Sequence, residues 1–144
     1  MLAAIRPDDW NIALLVHVAG AMALVGALVV VVATSAGALR RGDGAAELSR
    51  LAFRGLLLGV LPAYLVMRVG AEWIAAEQDW GGDPAWIGIG YMTADAGLLV
   101  TIVATVLAWR AAKRATGGRA VVVLCGVLLV AYAVAIWAMT NKPS

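Results

Sequence analysis

Three charged side chains stand in stretches that are otherwise apolar: Arg68 and Glu72 within residues 61–73, and Asp95 within residues 86–109. At membrane depth a charged side chain costs about 2.5–3.5 kcal/mol on insertion scales, so each of them implies a partner or a wet cavity. Tyr64, Arg68 and Glu72 are spaced by four and share one side of a helix, as do Tyr91 and Asp95. The five fixed donors of a guanidinium can serve two carboxylates at once, and it keeps its proton. The expected constellation is therefore one buried cluster in which Arg68 is shared between Glu72 on its own helix and Asp95 on a neighbour. His17 and Tyr64 or Tyr91 are expected to complete its hydrogen bonds. With His17 neutral, one cation and two carboxylates leave a net negative charge, a balance suited to binding a proton, a cation or another small ligand. The same residues also serve as a structural clamp between helices.

Catalytic chemistry has no comparable support. The chain has no Gly-rich phosphate loop, no nucleophile elbow, no His-Cys dyad and no metal-ligand pair at helical spacing, so the expectation is a protein that is not an enzyme. His17 is the single histidine, and it opens an alternative as an axial ligand to haem b or as a copper ligand, with Met22 as the nearest thioether. The leading expectation is no cofactor and no metal. Cys125 is the one cysteine, which excludes an intrachain disulfide and a cysteine-cluster metal site; within an apolar run it reads as a small buried hydrophobe.

The elements that must hold these groups follow from composition. Of 144 residues, 63% are hydrophobic and 14% charged, with a mean hydropathy of +0.90, too few polar groups to cover a water-soluble globule of this size. The chain reads as an integral membrane protein in a single transmembrane domain spanning residues 1–144. Its first apolar run is too long for a cleaved signal and lacks the basic segment that would precede one, so it reads as a retained span. The net charge of +2 comes from arginine clusters beside apolar runs. That pattern points to the lipid bilayer as partner and not to nucleic acid.

Four spans are predicted, at about residues 11–39, 55–75, 86–109 and 120–140, each near the ~20 residues that cross a bilayer core. Trp10 marks the entrance of the first. Ala19, Ala23 and Ala27 offer a small-residue stripe for helix approach, and Gly55 and Gly59 a second one. Asp43 is the expected cap of a helix beginning near Gly44, interfacial at first and entering the membrane near Gly55. Pro62 should kink or loosen that helix, since it lacks a backbone donor and crowds the preceding turn. Gly81-Gly82-Asp83-Pro84 and Gly117-Gly118 are the turn signals of the later connections.

Short connections between four spans give an all-α, antiparallel up-down-up-down four-helix bundle. Loops 40–54 and 110–119 each carry four Lys or Arg, whereas the central loop carries none. The positive-inside rule then puts the two basic loops in the cytoplasm, and the central loop and both termini outside. This orientation fixes depth: at about 1.5 Å per residue, His17, Arg68, Glu72 and Asp95 all fall roughly 5–15 Å below the outer interface. Four short spans make a narrow pathway for one copy, so a transporter or channel reading brings with it a homo-oligomer or a place as a subunit of a membrane complex.

The segment His17-Val-Ala-Gly-Ala-Met-Ala-Leu-Val-Gly26 and the closing Met139-Thr-Asn-Lys-Pro143 resemble those of uncharacterised bacterial four-helix integral inner-membrane proteins. The first of these is also faintly similar to the copper-resistance protein D group, whose helices often carry a His followed by a small-residue, Gly-containing segment. This chain is shorter and has no second histidine. The resemblance implies a multi-pass location in the bacterial cytoplasmic membrane.

Overall fold

The computed structural model describes residues 10–77, 85–116 and 118–140. These form four long helices and, among the described residues, no strand. The first helix runs Trp10–Arg40 and the second is continuous over Ala45–Glu77; the third runs Ala85–Arg114 and the fourth Arg119–Thr140. The segments Ile12–Arg40, Ala45–Glu77, Ile87–Arg114 and Arg119–Thr140 are long and apolar enough to cross a membrane. The side chain of Trp10, the turn at residues 81–84, Gly117 and the terminal residues 141–144 lie outside the described residues.

The helices form a ring in chain order. The first packs on the second and fourth, and the third packs on the fourth and on the second; among the described residues the backbones of the two diagonal pairs do not approach one another closely. Leu24, Leu28, Val31, Leu56, Val60 and Cys125 fill the core between them. On the third helix the buried core positions are small, Ala94, Ala104 and Ala108, flanked by the partly buried Leu98, Val100 and Leu107.

The second helix begins differently from the sequence expectation. Gly44, and not Asp43, occupies the cap position, with φ 90° and no side-chain hydrogen bond to the helix end. That left-handed conformation is open to glycine at little cost, and it turns the chain without an Asp cap. Glu47 does sit in the first turn, where its charge complements the helix dipole. From Ala45 to Gly55 the helix is two-faced, with Ala45, Ser49 and Ala52 buried and Glu47, Arg50 and Arg54 exposed.

Pro62 does not break the helix. The turn before it, Leu56–Val60, is π-helical, and the Leu61 amide reaches back five residues to the Leu56 carbonyl. A π turn is wider than an α turn and shifts the hydrogen-bond register by one residue, which accommodates a ring that an α turn would crowd. The predicted loosening is therefore absorbed locally, and the helix continues to Glu77.

The close approach of the first two helices depends on glycines more than on the predicted alanine stripe. Ala19 and Ala23 are exposed, and of that stripe only Ala27 meets the second helix. A Cβ placed on Gly59 would lie 3.3 Å from that of Ala27, and one placed on Gly55 would lie 2.9 Å from Val31 Cγ2, so the Gly55/Gly59 face does pack there. Closer to the other end of the pair, a Cβ on Gly70 would lie 2.5 Å from the His17 backbone nitrogen, and one on Gly20 would run into the backbone of Met67. The two backbones touch at these glycines. At the opposite end of the bundle, Ser49 Oγ donates to the Thr116 carbonyl at 2.9 Å, tying the start of the second helix to the end of the third. There Ala115 takes a left-handed conformation, with φ 53°, just past the end of the third helix.

Candidate functional site

Arg68 stands two turns beyond the π segment, on the part of the second helix that has moved away from the third. Over residues 45–60 these two helices pack closely, whereas over residues 61–77 they barely touch. The upper part of the second helix is held instead against the first helix by the Gly20 and Gly70 contacts. The gap that results is bridged by the predicted constellation. Arg68 Nε lies 3.0 Å from Glu72 Oε1, and Arg68 Nη1 lies 3.1 Å from Asp95 Oδ1. The guanidinium carbon sits 4.6 Å from the centre of the Tyr91 ring, a cation–π distance. The Glu72 carboxylate also faces the Tyr91 hydroxyl. One arginine thus uses two edges of its fork on carboxylates from two helices and its flat face on an aromatic ring.

Two features of the predicted cluster differ. It is not buried: the side chain of Arg68 is 26% exposed, but those of Glu72 and Asp95 are 53% and 66% exposed, on the outer surface of the bundle. Their neighbours on that surface are apolar, with Leu65 and Val69 on one helix and Met92 and Leu99 on the other all exposed. Nor does His17 complete the cluster. Its Nδ1 lies 3.0 Å from the Met67 carbonyl, so its hydrogen bond goes to backbone across the glycine contact. Gly20 and Gly70 bring the helices so close that the imidazole meets a carbonyl before it meets the charges one residue further on.

This geometry also separates His17 from Met22. Five residues along an α-helix turn about 140°, and Met22 is 72% exposed on a different face from the one that meets the second helix. The pair does not converge on one haem or copper ion. Among the described residues no three His, Cys, Asp or Glu side chains gather into a metal-holding group.

Behind the bridge the interior is more polar than the sequence suggested. Tyr64 is buried, in the field of Arg68, Asp95 and Glu72. Across the bundle from it, Tyr132 of the fourth helix reaches toward Gly97, whose missing side chain makes room for the phenol; a Cβ there would lie 2.6 Å from the Tyr132 oxygen. The Tyr132 hydroxyl is buried and makes no hydrogen bond among the described residues. Thr101, buried one turn along, spends its own hydroxyl on the Gly97 carbonyl at 2.8 Å. Sequence reading passed over Tyr132; the available signal was a hydroxyl in the middle of an uncharged apolar span whose other hydroxyl, Thr140, lies at its end.

A buried hydroxyl without a partner carries its full desolvation cost. Tyr132→Phe is therefore expected to raise the unfolding free energy by about 1 kcal/mol, measured by denaturant unfolding of the detergent-solubilised protein. A loss of similar size would show that the hydroxyl has a partner.

Two further contacts were legible from spacing alone. Trp73 Nε1 donates to Glu77 Oε1 at 2.6 Å, and Lys113 Nζ lies 4.0 Å from the centre of the Trp109 ring, each pair four residues apart. They sit at opposite ends of the bundle, an aromatic with a charged neighbour at each. Compared with known protein families, curated proteins and solved structures, the chain matches none.

Proposed function

We propose that this chain is a non-enzymatic multi-pass protein of a bacterial cytoplasmic membrane, and that the Arg68, Glu72 and Asp95 cluster is its binding site for a small ligand or ion. One observation carries the reading. Two carboxylates and one arginine occupy the stretch where the second and third helices part, beside the exposed apolar side chains of Leu65, Val69, Met92 and Leu99. A purely structural fastener would be expected inside the bundle, where four helices could satisfy it. Here more than half of each acidic side chain is open to whatever lies beside the protein.

The two basic ends support the orientation. Arg40, Arg41, Arg50, Arg54, Arg110, Lys113, Arg114 and Arg119 all gather at the end of the bundle away from the cluster. That end belongs in the cytoplasm by the positive-inside rule, and the cluster then lies in the outer half.

Thermal unfolding tests the binding claim. Wild type and Asp95→Asn are compared in inorganic cations, organic cations and neutral solutes. A ligand present at 100 times its Kd adds about 2.7 kcal/mol to the folded state. The expected result is a class of solute that raises the wild-type Tm by several degrees and leaves Asp95→Asn unmoved. Equal responses of the two proteins to every solute would reduce the cluster to a fastener.

A further inference from the structure

We infer that the start of the second helix seats the headgroup of a membrane phospholipid, with Arg50 and Arg54 on its phosphate and Glu47 on the amine of an ethanolamine-type head. The inference needs the membrane placement proposed above. It does not need the binding role of the Arg68 cluster, which lies toward the other end of the same helix.

Length puts this stretch at headgroup level. The 33-residue helix Ala45–Glu77 is about 50 Å long at 1.5 Å per residue, against about 30 Å for the hydrocarbon core of a bilayer. With the apolar part from Gly55 onward in that core, the turns from Ala45 to Arg54 stand among the headgroups. They are fixed there by their inner side, where Ala45, Ser49 and Ala52 are buried and Ser49 is bonded to the Thr116 carbonyl. The outward side chains therefore meet lipid at a set depth.

That outward side is hollowed. Gly44, Ala46, Glu47, Arg50, Leu51 and Arg54 line an open cleft of about 440 Å³, a volume within the ~300–1,000 Å³ of small-molecule sites. Nothing lies within 4 Å of a Cβ placed on Gly44, so the rim is open at that end.

The charges lining the cleft are unspent. Glu47 and Arg50 are three apart and could pair along the helix, yet among the described residues neither they nor Arg54 makes an ion pair or a side-chain hydrogen bond. Arg50 and Arg54, four apart and both exposed, offer two guanidinium forks to a phosphate. A carboxylate in the same cleft disfavours a ligand that is anionic throughout. It suits one that carries a positive charge beyond its phosphate.

Order along the helix matches such a lipid. Glu47 lies furthest from the core, Arg50 and Arg54 follow, and the exposed Leu57 and Leu58 come next, one turn deeper. Amine, phosphate and acyl chain succeed one another in the same order from the headgroup layer inward. Leu51, exposed between the arginines, adds apolar surface beside the phosphate. The remaining basic residues of this end, among them Arg110 and Arg114, attract anionic surfaces without selecting a headgroup. The mixed lining of the cleft does the selecting.

The experiment delipidates the full chain in detergent and titrates it with phosphatidylethanolamine or phosphatidylglycerol, bound lipid being counted by native mass spectrometry. Wild type is expected to bind phosphatidylethanolamine about tenfold more tightly than phosphatidylglycerol. Arg50→Gln with Arg54→Gln is expected to weaken both lipids by about tenfold or more, and Glu47→Gln to remove only the preference. Arg110→Gln, which takes one charge from the same end outside the cleft, leaves both affinities unchanged. Competition on wild type needs no variant: millimolar inorganic phosphate or glycerophosphoethanolamine is expected to displace none of the lipid.

Equal wild-type affinity for the two lipids would overturn the inference, as would a loss from Arg110→Gln equal to that from the cleft variant, which would mark diffuse attraction. Displacement by either soluble compound would assign the cleft to a soluble phosphate instead. Each of these results would leave the Arg68 reading standing. A chain that stays folded without detergent or lipid would remove the membrane placement, and this inference with it.

Discussion

Arg68→Ala is expected to lower the stability of the bundle in a bilayer by about 2–3 kcal/mol, and Asp95→Asn added to it to recover most of that loss. Arginine removal leaves Glu72 and Asp95 as two carboxylates without a countercharge on an apolar face. The size of the effect depends on the medium. An ion pair this exposed contributes about 0–1 kcal/mol when water surrounds it, because both partners remain solvated without each other. In hydrocarbon the unpaired carboxylate has no such refuge. Equilibrium unfolding by steric trapping in bicelles, run as a full double-mutant cycle, reads both the loss and the coupling. A cycle that closes with additive effects below about 0.5 kcal/mol would show that the cluster lies in water and that the outer half of these helices projects beyond the membrane.

The second large effect is steric. Gly70→Leu is expected to destabilise by about 3 kcal/mol or more, because even the first carbon of the side chain would stand 2.5 Å from the His17 backbone. Backbone cannot rotate out of the way as a flexible side chain can, so the two helices must part. The His17 bond to the Met67 carbonyl is then lost with the contact. Gly26 provides the control, since nothing lies within 4 Å of a Cβ placed there. Gly26→Ala should be neutral or stabilising by up to about 1 kcal/mol, the ordinary gain from replacing glycine in a helix. The same unfolding assay compares the two. Equal and small effects at both positions would contradict the backbone contact.

The four-helix layout was legible because it follows from the crudest signal in the chain, long uncharged runs between arginine-rich loops. The Arg68 bridge was legible for a related reason: charges at membrane depth are rare enough that three of them at matching depths point to one another. What the sequence concealed depends on helix rotation and backbone distance. Ala19 and Gly20 are adjacent and both small, but only Gly20 faces the second helix, and hydropathy in an all-apolar span gives no clue to which side is inward. The outward exposure of Glu72 and Asp95 was hidden for the same reason. His17 was placed wrongly in partnership, because a backbone carbonyl is a competitor that side-chain spacing does not reveal. Pro62 announced a disturbance, though its form as a π turn depends on how the whole helix is held.

The parting of the second and third helices gives the molecule a gradient of stiffness. At the arginine-rich end the walls are interlocked and tied by the Ser49 bond, so any widening there must undo packed surface over several turns. At the other end the restoring force comes from one arginine, two carboxylates and a ring, side chains that swing without disturbing a core. Thermal motion will therefore concentrate in the aperture at the Arg68 end, with the π turn of residues 56–60 at its root. The width of that aperture is an elastic property governed by a handful of atoms, and anything that competes for them sets it.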